Sequence, residues 1–151
     1  MDQELRELYQ EVILDHNKSP RNFREMEDST QDSEGYNPLC GDTIHIYLKI
    51  NDGIVTDVSF QGSGCAISKA SASLMTSAVK GKTKEEAEVV FKNFLDLITG
   101  NLGENPNTDK LGKLAVFAGV QEFPVRVKCA SLAWHTMKAA LDEKETKVTT
   151  E

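Results

Sequence analysis

The chain has 151 residues, of which 39% are hydrophobic and 27% charged, so it can bury a core and its length fits a single domain. Its 24 acidic residues outnumber the 17 Lys and Arg, and the formal charge is −7 at pH 7. That charge repels phosphate backbones, so we expect no nucleic-acid partner. The longest uncharged apolar stretch, residues 114–120, is far shorter than the roughly 20 residues of a membrane span, so we expect no membrane partner either.

The N-terminal residues and the cysteine content indicate a compartment. The sequence begins Met1-Asp2-Gln3-Glu4, without the basic and apolar regions of a secretory signal. It holds three cysteines, an odd number with no close pair, which is not typical of a disulfide framework. We therefore expect a soluble cytoplasmic protein.

The first part of the chain predicts a helix, a loop and a β-hairpin. Apolar residues at helical spacing predict a helix over residues 3–16. Residues 24–37 are polar and aperiodic, as is typical of an exposed loop. Alternating apolar residues predict a strand over 43–50 with one buried face, and an Asn-Asp-Gly turn then leads into a partner strand over 54–61.

The remainder of the chain predicts helices. An apolar stripe predicts a helix over residues 67–78, and a capping-box pattern at Thr83 predicts the start of the next one. Residues 100–112 are loop-like and are followed by a short helical or irregular stretch over 111–118. The last helix is predicted from about residue 127 to residue 141.

The order of these elements predicts an α+β fold, with a small antiparallel β-sheet and helices packed on one of its faces. We expect one domain over residues 1–151, with residues 1–5 and 143–151 as frayed tails.

The cysteines all fall at predicted element boundaries. Cys40 lies just before the first strand, whereas Cys65 and Cys129 are placed at helix starts. A helix N-terminus favours the thiolate form, and Arg126 and Lys128 would favour it further at Cys129. Glycines beside Cys40 and Cys65 let the backbone fold closely around an ion or a reacting sulfur.

Asp42 extends this group of candidate ligands. In an extended chain it points to the same side as Cys40, and a thiolate with a carboxylate suits a first-row metal ion. Together with Cys65 and Cys129, these residues would fill a tetrahedral zinc site. Free cysteines are also commonly small buried hydrophobes, and the spacing matches no paired C-x-x-C zinc module. The residues alone therefore leave a metal or thiol site and packed cysteines as open alternatives.

The histidines give less information about function. His45 lies on the polar face of the first predicted strand, where we expect solvent exposure. His135, beside Trp134, is expected to pack or to lie on the surface. His16 closes the first helix, where a cation interacts favourably with the helix dipole.

Several short motifs occur in a fixed order, from residue 9 to residue 130. They are Tyr9-x-x-Val12-Ile13-x-Asp15-His16, Pro20-Arg21-Asn22, Cys40-Gly41-Asp42, Gly64-Cys65-Ala66-Ile67-Ser68-x-Ala70-Ser71, Val79-Lys80-Gly81-Lys82 and Arg126-Val127-Lys128-Cys129-Ala130. Taken together, they resemble the SufU/IscU family, the NifU N-terminal-like iron–sulfur cluster assembly proteins. The resemblance covers about residues 6–141.

Two features resemble the SufU branch more than the IscU branch. Lys128 precedes the last cysteine, where the IscU branch has a histidine, and the long segment over residues 100–120 is similar to the SufU insertion. The chaperone-recognition motif of IscU is reduced here to Phe123-Pro124-Val125-Arg126.

The resemblance implies a zinc site made of Cys40, Asp42, Cys65 and Cys129. It implies a zinc-dependent sulfurtransferase in which Cys40 accepts persulfide sulfur from a SufS-type cysteine desulfurase, while a desulfurase histidine takes the place of Cys40 on zinc. Downstream iron–sulfur assembly proteins are the further partners it implies. The acidic charge would favour a partner that offers a basic patch.

The alternative within the same family is a scaffold. In that hypothesis, iron or a nascent [2Fe–2S] cluster is held by Cys40, Cys65 and Cys129 and is then transferred. A third hypothesis is a structural zinc site, or cysteines that are merely packed.

Overall fold

The computed structural model describes residues 3–100, 111–142 and 148–149. Along these residues an α-helix is followed by a group of strands and then by further helices. In chain order the elements are α1 (Gln3–Lys18), β1 (Gln31–Asn37), β2 (Asp42–Asn51), β3 (Ile54–Ser63), α2 (Ala66–Val79), α3 (Lys84–Thr99), a 3₁₀ helix (Gly112–Glu122), α4 (Pro124–Leu141) and β4 (Val148–Thr149).

The sheet has the strand order β3-β2-β1-β4 among the described residues. β1 and β3 both pair with β2 in the antiparallel sense, and the two-residue β4 runs parallel to β1. Asp52 and Gly53 join β2 to β3 with φ angles of 53° and 78°. Positive φ at both central residues is the requirement of a type I′ turn, whose twist matches that of the strands. The predicted hairpin is confirmed.

The prediction of an exposed loop over residues 24–37 is wrong for its second half, which forms β1. The inward positions of β1 are Ser33, Gly35 and Asn37, which are small or polar, so the strand lacks the apolar alternation that would reveal it. Gly35 is required because α4 packs closely on the strand. A Cβ atom there would lie 2.1 Å from Thr136 Oγ1 and 3.0 Å from Leu132 Cδ1.

The helices pack on one face of the sheet, so the predicted α+β class is confirmed. Trp134 of α4 is fully buried, and its ring lies 4.5 Å, centroid to centroid, from that of Phe94. Phe117 of the 3₁₀ helix meets Phe94 edge-on at 5.5 Å. The largest fully buried side chains are Trp134, Phe60, Phe94, Phe117, Ile46, Leu48, Met75, Leu97, Ile98, Leu132, Met137 and Leu141. Among the described residues, no helix is long and apolar enough to cross a bilayer.

Two helix starts test the predicted boundaries. The capping box of α3 is confirmed, since Thr83 Oγ1 accepts from the Glu86 amide at 3.1 Å and Glu86 Oε1 accepts from the Thr83 amide at 2.9 Å. α4 begins earlier than predicted, at Pro124. Proline is favoured in the first helical turn, because a backbone N–H at that position has no acceptor within the helix and its absence therefore costs no hydrogen bond.

The predicted loop and tails lie largely outside the described residues, which omit 101–110, 143–147, 1, 2, 150 and 151. Within the described residues, α1 already begins at Gln3, and Val148–Thr149 pair with Gly35 and Tyr36. The single-domain assignment stays a prediction.

His16 joins α1 to α2 rather than capping a helix. It is only 5% exposed, and its Nδ1 lies 2.7 Å from Ser73 Oγ. Ser73 Oγ also accepts from the Arg21 amide at 2.8 Å, so this one hydroxyl contacts both His16 and the turn that follows α1. Burial lowers the pKa of His16. The interpretation of His16 as a cation at the helix C-terminus is therefore wrong.

Candidate metal centre

The four candidate ligands come from three separate segments, the β1–β2 hairpin, the start of α2 and α4, and converge at one end of the sheet. Cys40 lies in the loop between β1 and β2, Asp42 begins β2, Cys65 caps α2, and Cys129 lies within α4. Cys40 Sγ is 3.1 Å from Cys129 Sγ. Ligand atoms of Cys40, Asp42 and Cys129 all lie within 4.8 Å of one another, a group that could hold a metal ion. Cys65 Sγ lies next to this group, 4.0 Å from Asp42 Oδ2.

Asp42 is fully buried and held from two sides. Its Oδ1 accepts from the Cys65 backbone amide at 2.8 Å, and its Oδ2 accepts from Asn37 Nδ2 at 3.1 Å. Gly64 is needed for this arrangement, since a Cβ atom there would lie 2.2 Å from Asp42 Oδ1. The glycine before Cys65 therefore lets the backbone approach the carboxylate.

Cys129 is 2% exposed, and burial raises the pKa of its thiol. Contacts with the Cys40 and Cys65 thiols and the negative charge of Asp42 raise that pKa further. The prediction that a helix N-terminus makes Cys129 a thiolate is wrong, because α4 begins at Pro124 and places Cys129 in its second turn. Nor does Arg126 turn towards the sulfur, since its guanidinium lies over the Phe123 ring at 4.6 Å.

This donor set fits a zinc ion. Thiolates and a carboxylate are ordinary zinc ligands, and iron–sulfur clusters also take thiolates. Metal ligands must be deprotonated, so a divalent cation would compensate the burial that disfavours the Cys129 thiolate. Cys40, Asp42, Cys65 and Cys129 are therefore a chemically coherent ligand set.

Contacts between helices set the relative positions of Cys65 and Cys129. Ser71 Oγ of α2 donates to the Ala130 carbonyl at 2.6 Å and accepts from Trp134 Nε1 at 3.1 Å, both on α4. These two bonds are buried, so they tie the helix that Cys65 begins to the helix that carries Cys129.

The outer side of the centre is open at Cys40, the exposed member of the three cysteines. Leu39, Phe123 and Val125 are also exposed, and we call them the apolar rim. Leu39 precedes Cys40, and Val125 lies one helical turn before Cys129 on the same face of α4. The site therefore presents an exposed thiol next in sequence to an exposed leucine, with two further exposed apolar side chains at the start of α4.

The sequence analysis missed Asn37, which is fully buried beside the candidate ligands. Its Nδ2 lies 3.5 Å from Cys129 Sγ as well as 3.1 Å from Asp42 Oδ2. The only local signal was the Asn-Pro pair before Cys40, which is typical of a turn.

His45 and His135 lie away from the candidate ligands. The His45 side chain is 27% exposed, lies 2.6 Å from Asp32 Oδ2 and stacks on Tyr47. Its predicted exposure is therefore only partial. His135 packs edge-on against Phe91, with ring centroids 5.5 Å apart.

Comparison with known proteins identifies the family. Residues 8–130 match the family described as NifU-like N terminal domain. The chain belongs to this family. The predicted family membership is therefore confirmed.

Individual relatives within the NifU-like N terminal domain family carry two kinds of name. The chain is 42% identical over 138 residues to the zinc-dependent sulfurtransferase SufU of Bacillus subtilis (strain 168), covering 91% of this chain and 92% of that one. It is 41% identical over 137 residues to the iron–sulfur cluster assembly scaffold protein IscU of Streptococcus pyogenes serotype M1, covering 91% and 84%. A crystal structure described as a SUF-system scaffold protein of Fervidobacterium islandicum AW-1 matches with a TM-score of 0.80 and 37% identity, covering 87% and 94%.

Proposed function

We propose that this protein is a zinc-dependent sulfurtransferase that accepts sulfur on Cys40 from a SufS-type cysteine desulfurase. The observation that carries the proposal is the position of Cys40, whose exposed thiol touches the buried Cys129 thiol at 3.1 Å. The Cys40 thiol is thus accessible to a partner, while Cys65 is half-buried and Asp42 and Cys129 are buried. The 42% identity to the Bacillus subtilis sulfurtransferase supports the same function.

Cys40, Asp42, Cys65 and Cys129 would hold the zinc. Bound zinc would keep the cysteine sulfurs as thiolates at neutral pH, which is the form that attacks disulfide-type sulfur. Asp42 is anchored through both of its carboxylate oxygens, and Cys129 is buried, so these two residues are suited to a lasting structural role. Cys40, on an exposed loop, is suited to the transfer itself.

The transfer is a thiolate exchange that needs no further oxidant or reductant. The Cys40 thiolate attacks the outer sulfur of the cysteine persulfide on the desulfurase, and a new S–S bond forms on Cys40. The S–S bond of the donor breaks, and its cysteine leaves as a thiolate. One persulfide is consumed and one is formed, so sulfur and electrons balance.

The surface around Cys40 suits docking of that desulfurase. The apolar rim is exposed and offers contact area that docking would remove from water. The formal charge of −7 would steer a partner that carries a basic patch next to its persulfide loop. Downstream iron–sulfur assembly proteins would then receive the sulfur from Cys40.

The second candidate is a scaffold that assembles a [2Fe–2S] cluster on Cys40, Cys65 and Cys129. It is favoured by the name of the Streptococcus pyogenes relative and by the convergence of these cysteines. Lys128 favours the sulfurtransferase hypothesis, because it occupies the position at which the IscU branch has a histidine that could act as a ligand.

Native mass spectrometry of the anaerobically purified protein distinguishes the two functions. The protein is measured before and after incubation with a SufS-type desulfurase and cysteine, with and without added iron. We expect one zinc throughout and one added sulfur that peptide mapping places on Cys40. A mass gain of two irons and two sulfides, seen only with iron, would favour the scaffold. Retained zinc without any added sulfur would reject both functions and leave a structural metal site.

A further inference from the structure

Asn37 ends β1 directly opposite Asp42, the first residue of β2. Both residues are fully buried, although asparagine and aspartate are seldom so. Cross-strand partners have neighbouring Cβ atoms, so the amide and the carboxylate point to the same side of the sheet, towards Cys129 of α4. Asn37 is therefore placed by the backbone pairing of the hairpin that carries two candidate ligands.

The side-chain hydrogen bonds of Asn37 involve two candidate ligands and the loop that carries Cys40. Nδ2 donates to Asp42 Oδ2 at 3.1 Å and lies 3.5 Å from Cys129 Sγ. Oδ1 accepts from the Leu39 amide at 3.3 Å, which begins the loop that carries Cys40. An amide nitrogen has two hydrogens, one for each of the two acceptors.

The amide orientation follows from its neighbours. A flipped amide would set Oδ1 against the carboxylate of Asp42 and the sulfur of Cys129, and would face Nδ2 towards a backbone N–H. Only the observed orientation pairs each donor with an acceptor. The side chain thus offers a neutral double donor, beside the Cys65 backbone amide, to the thiols and the carboxylate of the candidate ligands.

We infer that Asn37 is a positioning residue of the metal centre, which holds the Asp42 carboxylate and the Cys129 sulfur in the arrangement that binds metal. The inference rests on the proposed zinc site. Asn37 supplies hydrogen bonds rather than a ligand atom, and it also shapes the loop of Cys40. Hydrogen-bond partners of this kind typically alter metal affinity by about 10–100-fold when they are removed.

The test compares Asn37→Ser with Asn51→Ser as the matched control. Serine keeps a hydroxyl that can accept from the Leu39 amide but is too short to donate to Cys129. Asn51 lies at the other end of β2, where it donates to Thr56 Oγ1 on the surface. Zn²⁺ affinity is measured by competition with a chromophoric chelator, the Co²⁺-loaded protein is measured by absorption, and the unfolding of the metal-free protein is measured separately.

We expect Asn37→Ser to weaken Zn²⁺ binding about 10–100-fold and to shift the sulfur-to-cobalt charge-transfer band, while Asn51→Ser matches the unsubstituted protein. An Asn37→Ser protein with unchanged affinity and spectrum would overturn the inference, even if its metal-free form were less stable. If that variant does not fold, Asn37→Ala is judged by the same two readouts. Failure of the unsubstituted protein to bind Zn²⁺ would instead reject the proposed zinc site.

Discussion

Two buried polar clusters contact α2, and they differ in how well the protein satisfies them. In the His16 cluster, made of His16, Arg21, Asn22, Ser73 and Thr76, each polar contact joins a donor to an acceptor. In the candidate metal centre, thiols and a carboxylate lie side by side, with an asparagine and a backbone amide as donors.

The difference indicates separate roles. A satisfied buried network stabilises and orients the segments that it joins, here α1, the Arg21–Asn22 turn and α2. A group of buried acids with too few donors costs stability unless a cation joins it. We therefore expect the His16 cluster to affect stability alone, and the metal centre to affect chemistry and metal-dependent stability.

The largest expected effect is that of Cys40→Ser on sulfur transfer. Removing the nucleophile should lower sulfur acceptance from a SufS-type desulfurase by about 100-fold or more. Because Cys40 is exposed, the free energy of unfolding of the metal-free variant should stay close to that of the metal-free unsubstituted protein. The checks are persulfide labelling and denaturant unfolding; normal labelling of the variant would contradict the assignment of Cys40 as the acceptor.

The next largest effect is expected from metal removal, which should lower the unfolding free energy through the candidate metal centre and not through the His16 cluster. A ligand that binds only the folded state stabilises it by about 2.7 kcal/mol when present at 100 times its Kd. Chelation of the zinc-loaded protein should therefore lower its unfolding free energy by about that amount, measured with urea. Cys129→Ser should abolish the chelator effect, whereas Ser73→Ala should retain it; equal chelator effects in the two variants would mean that metal binds elsewhere.

Ser73→Ala should cost about 1–3 kcal/mol of stability, because the Arg21 amide and His16 Nδ1 each lose a buried partner. Zn²⁺ affinity and sulfur acceptance should not change. Ser131→Ala is a suitable control, since among the described residues its hydroxyl bonds within its own helix, to the Lys128 carbonyl. A loss of zinc affinity in Ser73→Ala would show that the two clusters are coupled.

The smallest expected effect is a dependence of the unfolding free energy on pH. Burial, with a further contribution from Arg21, lowers the pKa of His16 below its ordinary value of 6.5. His16 therefore binds a proton more readily in the unfolded chain than in the folded protein. The stabilisation from neutral His16 is complete above pH 6.5, and it is lost as the pH falls through the folded-state pKa. Urea unfolding between pH 7.5 and about pH 5 should show this loss. His16→Gln should remove that contribution, and an unchanged pH profile would contradict it.

The β2–β3 hairpin and the α3 cap show what local sequence predicts well. Asp52-Gly53 and the Thr83–Glu86 pair each specify a backbone geometry through residues a few positions apart. β1 was missed because Ser33 and Gly35 face inward without apolar side chains. Their burial depends on α4, which is distant in the chain, so no local pattern could reveal it.

The candidate ligands were found by residue type, but their chemistry was only partly predicted. Cys40, Asp42, Cys65 and Cys129 are ligand-type residues at element boundaries, and the family motifs mark the same positions. The direction of the pKa shift of Cys129 was wrongly predicted, because burial within α4 raises the pKa of this thiol whereas a helix N-terminus would lower it. Asn37 was missed because an amide is identified as a partner only by the groups it faces.

The sequence by itself therefore determined the family, the hairpin, the helix patterns and the candidate ligand residues, all of which depend on residue types and short-range spacing. Only the tertiary structure decided that β1 exists, that His16 is buried and neutral, and that Asn37 bridges Asp42 and Cys129. These features arise where segments far apart in the chain exclude water together, and burial of that kind sets both protonation and hydrogen bonding.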